Sequence, residues 1–447
     1  MKTYFIQTFG CQMNKHDSER VSGLLENRGL SRVETPNEAN VVVFMTCCVR
    51  EKADERLMGQ VASLKALKTA GNDVLIAVGG CIGQRDGVKL IEQMGHIDVV
   101  FGTQNIESLP MLLEAAHDSQ SPQVQLLDES DNFASDLPTI RERSYHAWLP
   151  ITVGCDNFCT YCVVPYVRGR ERSRKMDDIV AEAKKLVEDG VVEITLLGQN
   201  VNSYGRDLYG APRFSEILSR VADTGIKRIS FATSHPKDLT DETIEVMAST
   251  PACMNYLHLP FQSGSDAILT AMNRIYTRDD YLKLIEKVYD AMPDIALSTD
   301  VIVGFPGETE QDFEDTLSLV RACKFDQAFT FIYSPREGTP AATMANQVPA
   351  EVAQKRFQRL VEEIQASAFS KNQRLLDTVQ EVLVEGPSKR NKAVLTGRSR
   401  QSKVVHFPLP EKSDASLLVG KTVNVKIETA QTWFLTGSLA DMDNLSK

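Results

Sequence analysis

The chain has 447 residues, 42% hydrophobic and 24% charged, with a formal net charge of −11. That length exceeds one core and suggests about three domains, and the composition is that of a globular chain. The polar start Met1-Lys2-Thr3-Tyr4-Phe5-Ile6-Gln7-Thr8 does not fit a secretory leader, and no stretch reaches the ~18 apolar residues of a membrane span. A cytoplasmic location with no membrane attachment is expected. The acidic balance speaks against nucleic acid only if the charge is evenly spread.

From residue 1 to 117, short apolar runs alternate with amphipathic ones. Residues 4–9, 41–46, 74–78 and 97–101 read as buried strands, with helices over 18–28, 51–68 and 87–93. This βαβ alternation predicts an N-terminal doubly wound parallel sheet. Residues 118–140, rich in Ser, Asp, Gln and Pro, read as a linker. A second βα series fills 141–375, with strands expected at 147–153, 193–197, 228–231, 256–259, 296–303 and 327–333. Helices are expected at 177–188, 214–222, 278–291, 310–322 and 349–376. Six βα units suggest a partial (β/α)6 barrel, since a closed one needs eight. From 376 to 440, β-like runs at 379–384, 393–396, 403–407, 422–427 and 434–438 fit a small antiparallel β-barrel of the OB type.

Nine cysteines are an odd number for a disulfide framework, and in a reducing compartment clustered cysteines are more often metal ligands. Gly154-Cys155-Asp156-Asn157-Phe158-Cys159-Thr160-Tyr161-Cys162 follows the first barrel strand, at the end where barrels place chemistry. Three thiolates can hold three irons of a [4Fe–4S] cluster, leaving one iron open for an exogenous ligand. A structural zinc site is the alternative. It needs a fourth ligand nearby, and the nearest histidine, His146, precedes the strand. Cys11, Cys47 and Cys81 each fall at the C-terminal end of an expected strand, where an open sheet has one shared crevice. On the residues alone they are either convergent ligands or buried packing groups. Cys253 and Cys323 read as packing.

Two basic regions stand out in the acidic chain. Tyr166 to Lys175 carries Arg168 and Arg170 among five basic residues, next to the cysteine loop. Residues 386–408 contain Lys389, Arg390, Lys392, Arg398, Arg400 and Lys403 and no acid, with His406, Phe407, Trp433 and Phe434 in the same small barrel. Basic grooves with stacking rings hold single-stranded nucleic acid, whereas any one ring is as readily core.

The cysteine triad and its surroundings resemble the radical S-adenosylmethionine (SAM) superfamily, and the methylthiotransferase family within it. The resemblance covers residues 1 to 440. It implies an auxiliary [4Fe–4S] cluster on Cys11, Cys47 and Cys81, in Phe9-Gly10-Cys11-Gln12-Met13-Asn14, Thr46-Cys47-Cys48-Val49-Arg50 and Gly79-Gly80-Cys81. It also implies a radical SAM [4Fe–4S] cluster on Cys155, Cys159 and Cys162. Met45 stands where the family usually has Asn, and Cys48 is a rival to Cys47; alignment through Arg50-Glu51-Lys52-Ala53 favours Cys47. The last segment resembles the TRAM RNA-binding domain, with Arg168, Arg170, Lys389, Arg390, Arg398 and Arg400 the expected RNA contacts. Gln199, Gln262 and Gly304 lie in runs resembling SAM-cradling elements, and no residue is assigned as acid or base.

In the family one SAM methylates a cluster sulfur and a second yields the 5′-deoxyadenosyl radical that activates the substrate carbon. The runs Gly10–Asn14 with Asp17-Ser18-Glu19, and Cys159 to Glu171, are closest to the subfamily acting on N6-dimethylallyladenosine beside the tRNA anticodon. Alternatives are N6-threonylcarbamoyladenosine, a ribosomal-protein aspartate, and a non-catalytic iron–sulfur RNA-binding protein. Expected partners are a tRNA anticodon stem-loop and a reducing electron donor, with the chain a monomer.

Overall fold

A computed structural model describes residues 1–48, 51–69, 71, 73–127, 133, 137–410 and 414–440. The first sheet comprises β1 (Thr3–Thr8), β2 (Ser31–Arg32), β3 (Val41–Thr46), β4 (Leu75–Gly80), β5 (Val99–Phe101) and β6 (Gln123–Gln125). All pair in parallel, in the order β2-β1-β3-β4-β5-β6. β3 and β4 are buried at every position, which is why they read as unbroken apolar runs rather than alternating ones. Val42 and Phe44 pack with one apolar cluster and Val41, Val43 and Met45 with another, one on each face. The edge strands β2 and β6 are too short and polar to signal themselves, and β6 lies inside the expected linker. Residues 128–132 and 134–136 of that linker, like Val49 and Arg50, lie outside the described residues.

The central segment begins with β7 (His146–Pro150). A two-stranded antiparallel ribbon, β8 (Thr152–Val153) with β9 (Arg172–Ser173), brackets the cysteine loop. Then follow β10 (Glu193–Leu197), β11 (Arg228–Phe231), β12 (Tyr256–His258), β13 (Ala296–Val303) and β14 (Gln327–Ile332). The parallel sheets β7-β10-β11 and β12-β13-β14 are joined through an Ile229–Cys253 bridge, giving six strands of an open barrel. Alternate residues such as Leu149, Ile194, Ile229, Leu257 and Leu297 face the surrounding helices as one core. Cys253 and Cys323 belong to that core.

The last strands, β15 (Val379–Pro387), β16 (Val394–Ser399), β17 (Val404–Pro408), β18 (Thr422–Ala430) and β19 (Phe434–Leu439), close into a barrel ordered β15-β16-β17-β19-β18. Four pairings are antiparallel, as expected of a small OB-type barrel, and β17–β19 is parallel. The reason is topological: a closed ring of five strands cannot alternate direction all the way round.

This small barrel caps the N-terminal ends of the central strands. Arg228, fully buried at the start of β11, donates to the carbonyls of Arg398 and Ser399 at 3.1 and 2.9 Å and pairs with Glu193. Arg400 donates to the Pro251 and Cys253 carbonyls, and Gln401 to that of Asp294. Lys403 Nζ meets buried Asp326 at 2.6 Å, and Asp326 also accepts from Leu297 N. Removing one partner of a buried ion pair costs about 3–5 kcal/mol. Asp326→Asn is expected to loosen this cap by about 3 kcal/mol, visible in calorimetry as an early transition separating from the main one. An unshifted single transition contradicts the cap.

Candidate functional site

The first three cysteines are brought together by their neighbours. Asn14 Nδ2 donates to the carbonyls of Phe9 and Thr46, both at 2.8 Å, and so ties the end of β1 to the end of β3. Thr46 Oγ1 donates to Gly79 O at 2.6 Å and accepts from Ile82 N, tying β3 to β4 and the Cys81 helix. Gly10, at φ +108°, lies so close to Cys47 that a Cβ there would stand 2.1 Å from its Cβ and 2.7 Å from its Sγ. Only glycine allows Cys11 and Cys47 to approach in this way.

The thiols then interact. Cys11 is exposed, whereas Cys47, Cys48 and Cys81 are buried. A hydrogen bond from Cys47, helped by Arg168 against the effect of burial, lowers the Cys11 thiol to about 6. A hydrogen bond from Cys48, again with Arg168 against burial, lowers Cys81 to about 7. Cys48 itself is pushed up by donating to Cys81 and by burial; it packs with Leu57, Ile82 and Val163. Cys47 faces Gly10 and Cys11 instead. Met45 lies in the core on the other face of the sheet from Cys48 and Cys81, so the departure from Asn is filled by packing.

Arg168, expected to face RNA, is buried. Its Nη2 donates to Asn14 Oδ1 at 2.8 Å and to Asp17 Oδ2 at 3.0 Å. Burial opposes ionisation of Asp17, but the guanidinium holds its carboxyl below the ordinary value. Arg168 thus joins the first sheet to the barrel, beside the first cysteine set.

Cys155, Cys159 and Cys162 sit in the loop between β8 and β9. Gly154, at φ +81°, has no room for a side chain: a Cβ would lie 2.0 Å from Arg170 O. Burial raises Cys155 to about 11 and Cys162 to about 12. Buried Arg274 donates to Cys159 Sγ at 3.8 Å, to Tyr161 Oη and to Pro260 O. Each cysteine set therefore has one buried guanidinium, and sequence reasoning missed both roles. The outer side of the loop is exposed and aromatic. Phe158 and Tyr166 meet edge to face, and Arg170, paired with Asp156, stands over Phe158 at 5.5 Å.

The C-terminal strand ends around this loop carry buried polar atoms with no partner: Thr152 Oγ1, Asn200 Oδ1, Asn202 Nδ2, Ser234 Oγ, Gln262 Oε1 and Tyr333 Oη. Unsatisfied buried groups are costly and call for an explanation. Phe158, Thr233 and Gln262 also hold left-handed backbone here, a strain that clusters at ligand sites. Gln199 is half-buried directly after β10. Gly304 backs onto Ala353, 2.8 Å from an added Cβ, so its positive φ serves packing against the helix Ala350–Gln373. Arg400 is taken up by the cap, to which Arg398 lends only its carbonyl. Arg398 also pairs with Glu385, and Arg400 with Glu381. Lys389 and Arg390 remain exposed, as do Trp433 and Phe434, whereas Phe407 is core.

Comparison with known proteins places these features in a family. Residues 149–320 match the radical SAM superfamily, residues 3–102 an uncharacterized protein family designated UPF0004, and residues 373–440 the TRAM domain. The tRNA-2-methylthio-N(6)-dimethylallyladenosine synthase of Acetivibrio thermocellus is 49% identical over 441 residues, covering 98% of this chain and 91% of its own. The synthase of that name from Moorella thermoacetica is 47% identical over 443 residues, covering 98% and 99%. The chain belongs to the radical SAM methylthiotransferase family. Among solved structures, the radical SAM methyltransferase TsrM of Kitasatospora setae aligns with a TM-score of 0.56 at 12% identity, over 76% of this chain and 74% of that one. That likeness is one of fold.

Radical SAM methylthiotransferases take a [4Fe–4S] cluster and SAM, and the residues fit both. Cluster ligands must be thiolates, and both cysteine sets are clustered in recesses with a guanidinium beside them. SAM brings an ammonium, a carboxylate, ribose hydroxyls and a purine, which match the mixed donors and acceptors left open at the rim. Among the described residues no three His, Cys, Asp or Glu side chains close around a single ion; a four-iron cluster is larger and needs its thiolates held more widely. Two tests follow from the geometry. Alkylation of Cys11 in the cluster-free chain should slow as pH falls through about 6, while Cys155 should need pH near 11; equal pH profiles contradict the assigned environments. Gly10→Ala should lower the iron bound per chain, because the added methyl displaces Cys47; unchanged iron contradicts the close approach.

Proposed function

We propose that this radical SAM methylthiotransferase places a methylthio group on carbon 2 of N6-dimethylallyladenosine beside the anticodon of tRNA. The observation that carries this reading is the identity of 46–49% with synthases of that name over 98% of the chain. In this reading Cys11, Cys47 and Cys81 hold an auxiliary cluster, and Cys155, Cys159 and Cys162 hold the radical SAM cluster. Bound there, the clusters and SAM supply the one-electron and sulfur chemistry that no side chain provides.

The chain's own work is positioning. Asn14, Thr46 and Gly10 fix the spacing of the first thiols, and Gly154 that of the loop. Arg168 and Arg274 counter the negative charge of each thiolate set. Asn200, Asn202, Ser234 and Gln262 offer SAM its polar contacts. The exposed Phe158, Tyr166 and Arg170 form a stacking and phosphate-binding edge for an anticodon loop, whose bases splay out without breaking a duplex. Lys389, Arg390, Trp433 and Phe434 offer a second contact on the small barrel, so charge is segregated despite the net −11.

Mass spectrometry of nucleosides from total tRNA of a strain lacking the protein tests the substrate. Loss of the 2-methylthio derivative with accumulation of N6-dimethylallyladenosine is expected. Loss of the threonylcarbamoyl derivative instead, with the dimethylallyl nucleosides unchanged, overturns the substrate assignment.

A further inference from the structure

The inward face of the barrel is unlike a packed barrel interior. Closed βα barrels fill theirs with layers of Val, Ile and Leu. Here the strands alternate: most branched apolar residues point outward to the helices, and the inward side carries only a few, such as Leu197 and Ile302. The inward set includes Trp148, Thr195, Ser230, His258, Asp300 and Phe329. Thr195 bonds to Ser230 at 2.8 Å and to His146 at 2.9 Å, so that side is internally satisfied.

The opposite wall is different. Asp300 on β13 lies in register with Phe329 on β14. Phe329 is 40% exposed, an unusual state for an aromatic residue in the middle of a strand. His258 packs edge-on to it at 5.8 Å and sends Nδ1 to Ser298 Oγ at 2.7 Å, which Tyr256 Oη also meets at 2.6 Å. The Asp300 carboxylate has an ion-pair contact with His258 Nε2 at 3.5 Å and, among the described residues, no side-chain hydrogen bond shorter than that.

Position ties this wall to the reaction. Gln262 N donates to Asp300 O, Ile302 N donates to Gln262 O, and Gln262 bridges Val301. Asp300 is thus one residue from the level of the unpartnered Gln262 side chain at the rim, directly beneath the polar cradle described above. An open aromatic face beside a carboxylate acceptor suits a flat ring with an N–H on its edge, and a carboxylate in a confined lumen disfavours phosphate. The phosphates have cations outside, at Arg170, Lys389 and Arg390.

We infer that Phe329 and Asp300 form the subsite for the target nucleobase, the ring stacking on Phe329 and the N6–H of the adenine donating to Asp300. The inference rests on the tRNA adenosine reading and adds the residues that hold the base.

The test crosses a protein change with a ligand change, using the cluster-loaded enzyme with SAM. Binding is measured for an anticodon stem-loop with N6-dimethylallyladenosine, and for the same stem-loop with a second N6-methyl group and hence no N6–H. Wild type is expected to bind the first about tenfold more tightly, the worth of one hydrogen bond to a charged group. Asp300→Ala is expected to bring the first stem-loop down to the second and to leave the second unchanged. Phe329→Leu is expected to weaken both while keeping the tenfold ratio. Equal ratios in wild type and Asp300→Ala overturn the N6 contact, and unchanged binding by Phe329→Leu overturns the stacking. If wild type binds and modifies neither stem-loop, it is the tRNA adenosine reading that fails.

Discussion

Arg168 lies buried at the centre of the joint between the first domain and the barrel, which Arg20, Thr103 and Gln104 also cross. It comes from the loop after the second cysteine set and ends against Asn14 and Asp17 of the first domain, 154 and 151 residues away. Both Arg168 and Asp17 have 4% of their side chains exposed. Charges this deeply buried are tolerable only as a pair, and leaving either alone costs about 3–5 kcal/mol. The pair therefore holds the first sheet on the barrel together with the Thr103 and Arg20 contacts and the packing of Val163 and Val167. Asn14 extends the constraint, since the amide that accepts from Arg168 also clamps the ends of β1 and β3. One network thus links the domain arrangement to the geometry of the thiols.

The barrel has two ends with opposite characters. Its floor is closed by side chains of the small barrel: Arg400 donates to the Pro251 and Cys253 carbonyls, Gln401 to that of Asp294, and Lys403 to the Asp326 carboxylate. Its rim holds buried polar atoms that lack partners. Such atoms also occur elsewhere, Asn372 Oδ1 beside the small barrel among them, but six gather at the rim, where a ligand would meet them. The basic residues of the last domain divide in the same way: Arg400 and Lys403 anchor, Arg398 pairs within its own barrel, and Lys389 and Arg390 stay in solvent.

Much of this was legible in the sequence. β10, β11 and β13 begin and end where the apolar pattern places them, because each has alternate faces committed to the helix layer. The cysteine loop stood out by its spacing together with its place after the first barrel strand, and the first set only through strand ends and resemblance. The roles of Arg168 and Arg400 were not. A basic run predicts solvent or phosphate, and nothing local reveals that its partners stand some 150 residues away. Arg274 carried no signal either, because Met-Asn-Arg after a short helix looks like a surface turn. The parallel β17–β19 pair follows from closure, which no single strand encodes. The short polar β6 merged with the linker for want of an apolar face.

On the function proposed above, the fold offers two separate cluster sites, one at the end of the first sheet and one in the barrel loop. Anomalous scattering at the iron edge from crystals of the loaded protein, grown without oxygen, tests it directly. Two distinct iron peaks are expected, one surrounded by Cys11, Cys47 and Cys81 and the other by Cys155, Cys159 and Cys162. A single peak in protein carrying its full complement of iron, or a first-domain peak held by Cys48 in place of Cys47, contradicts it.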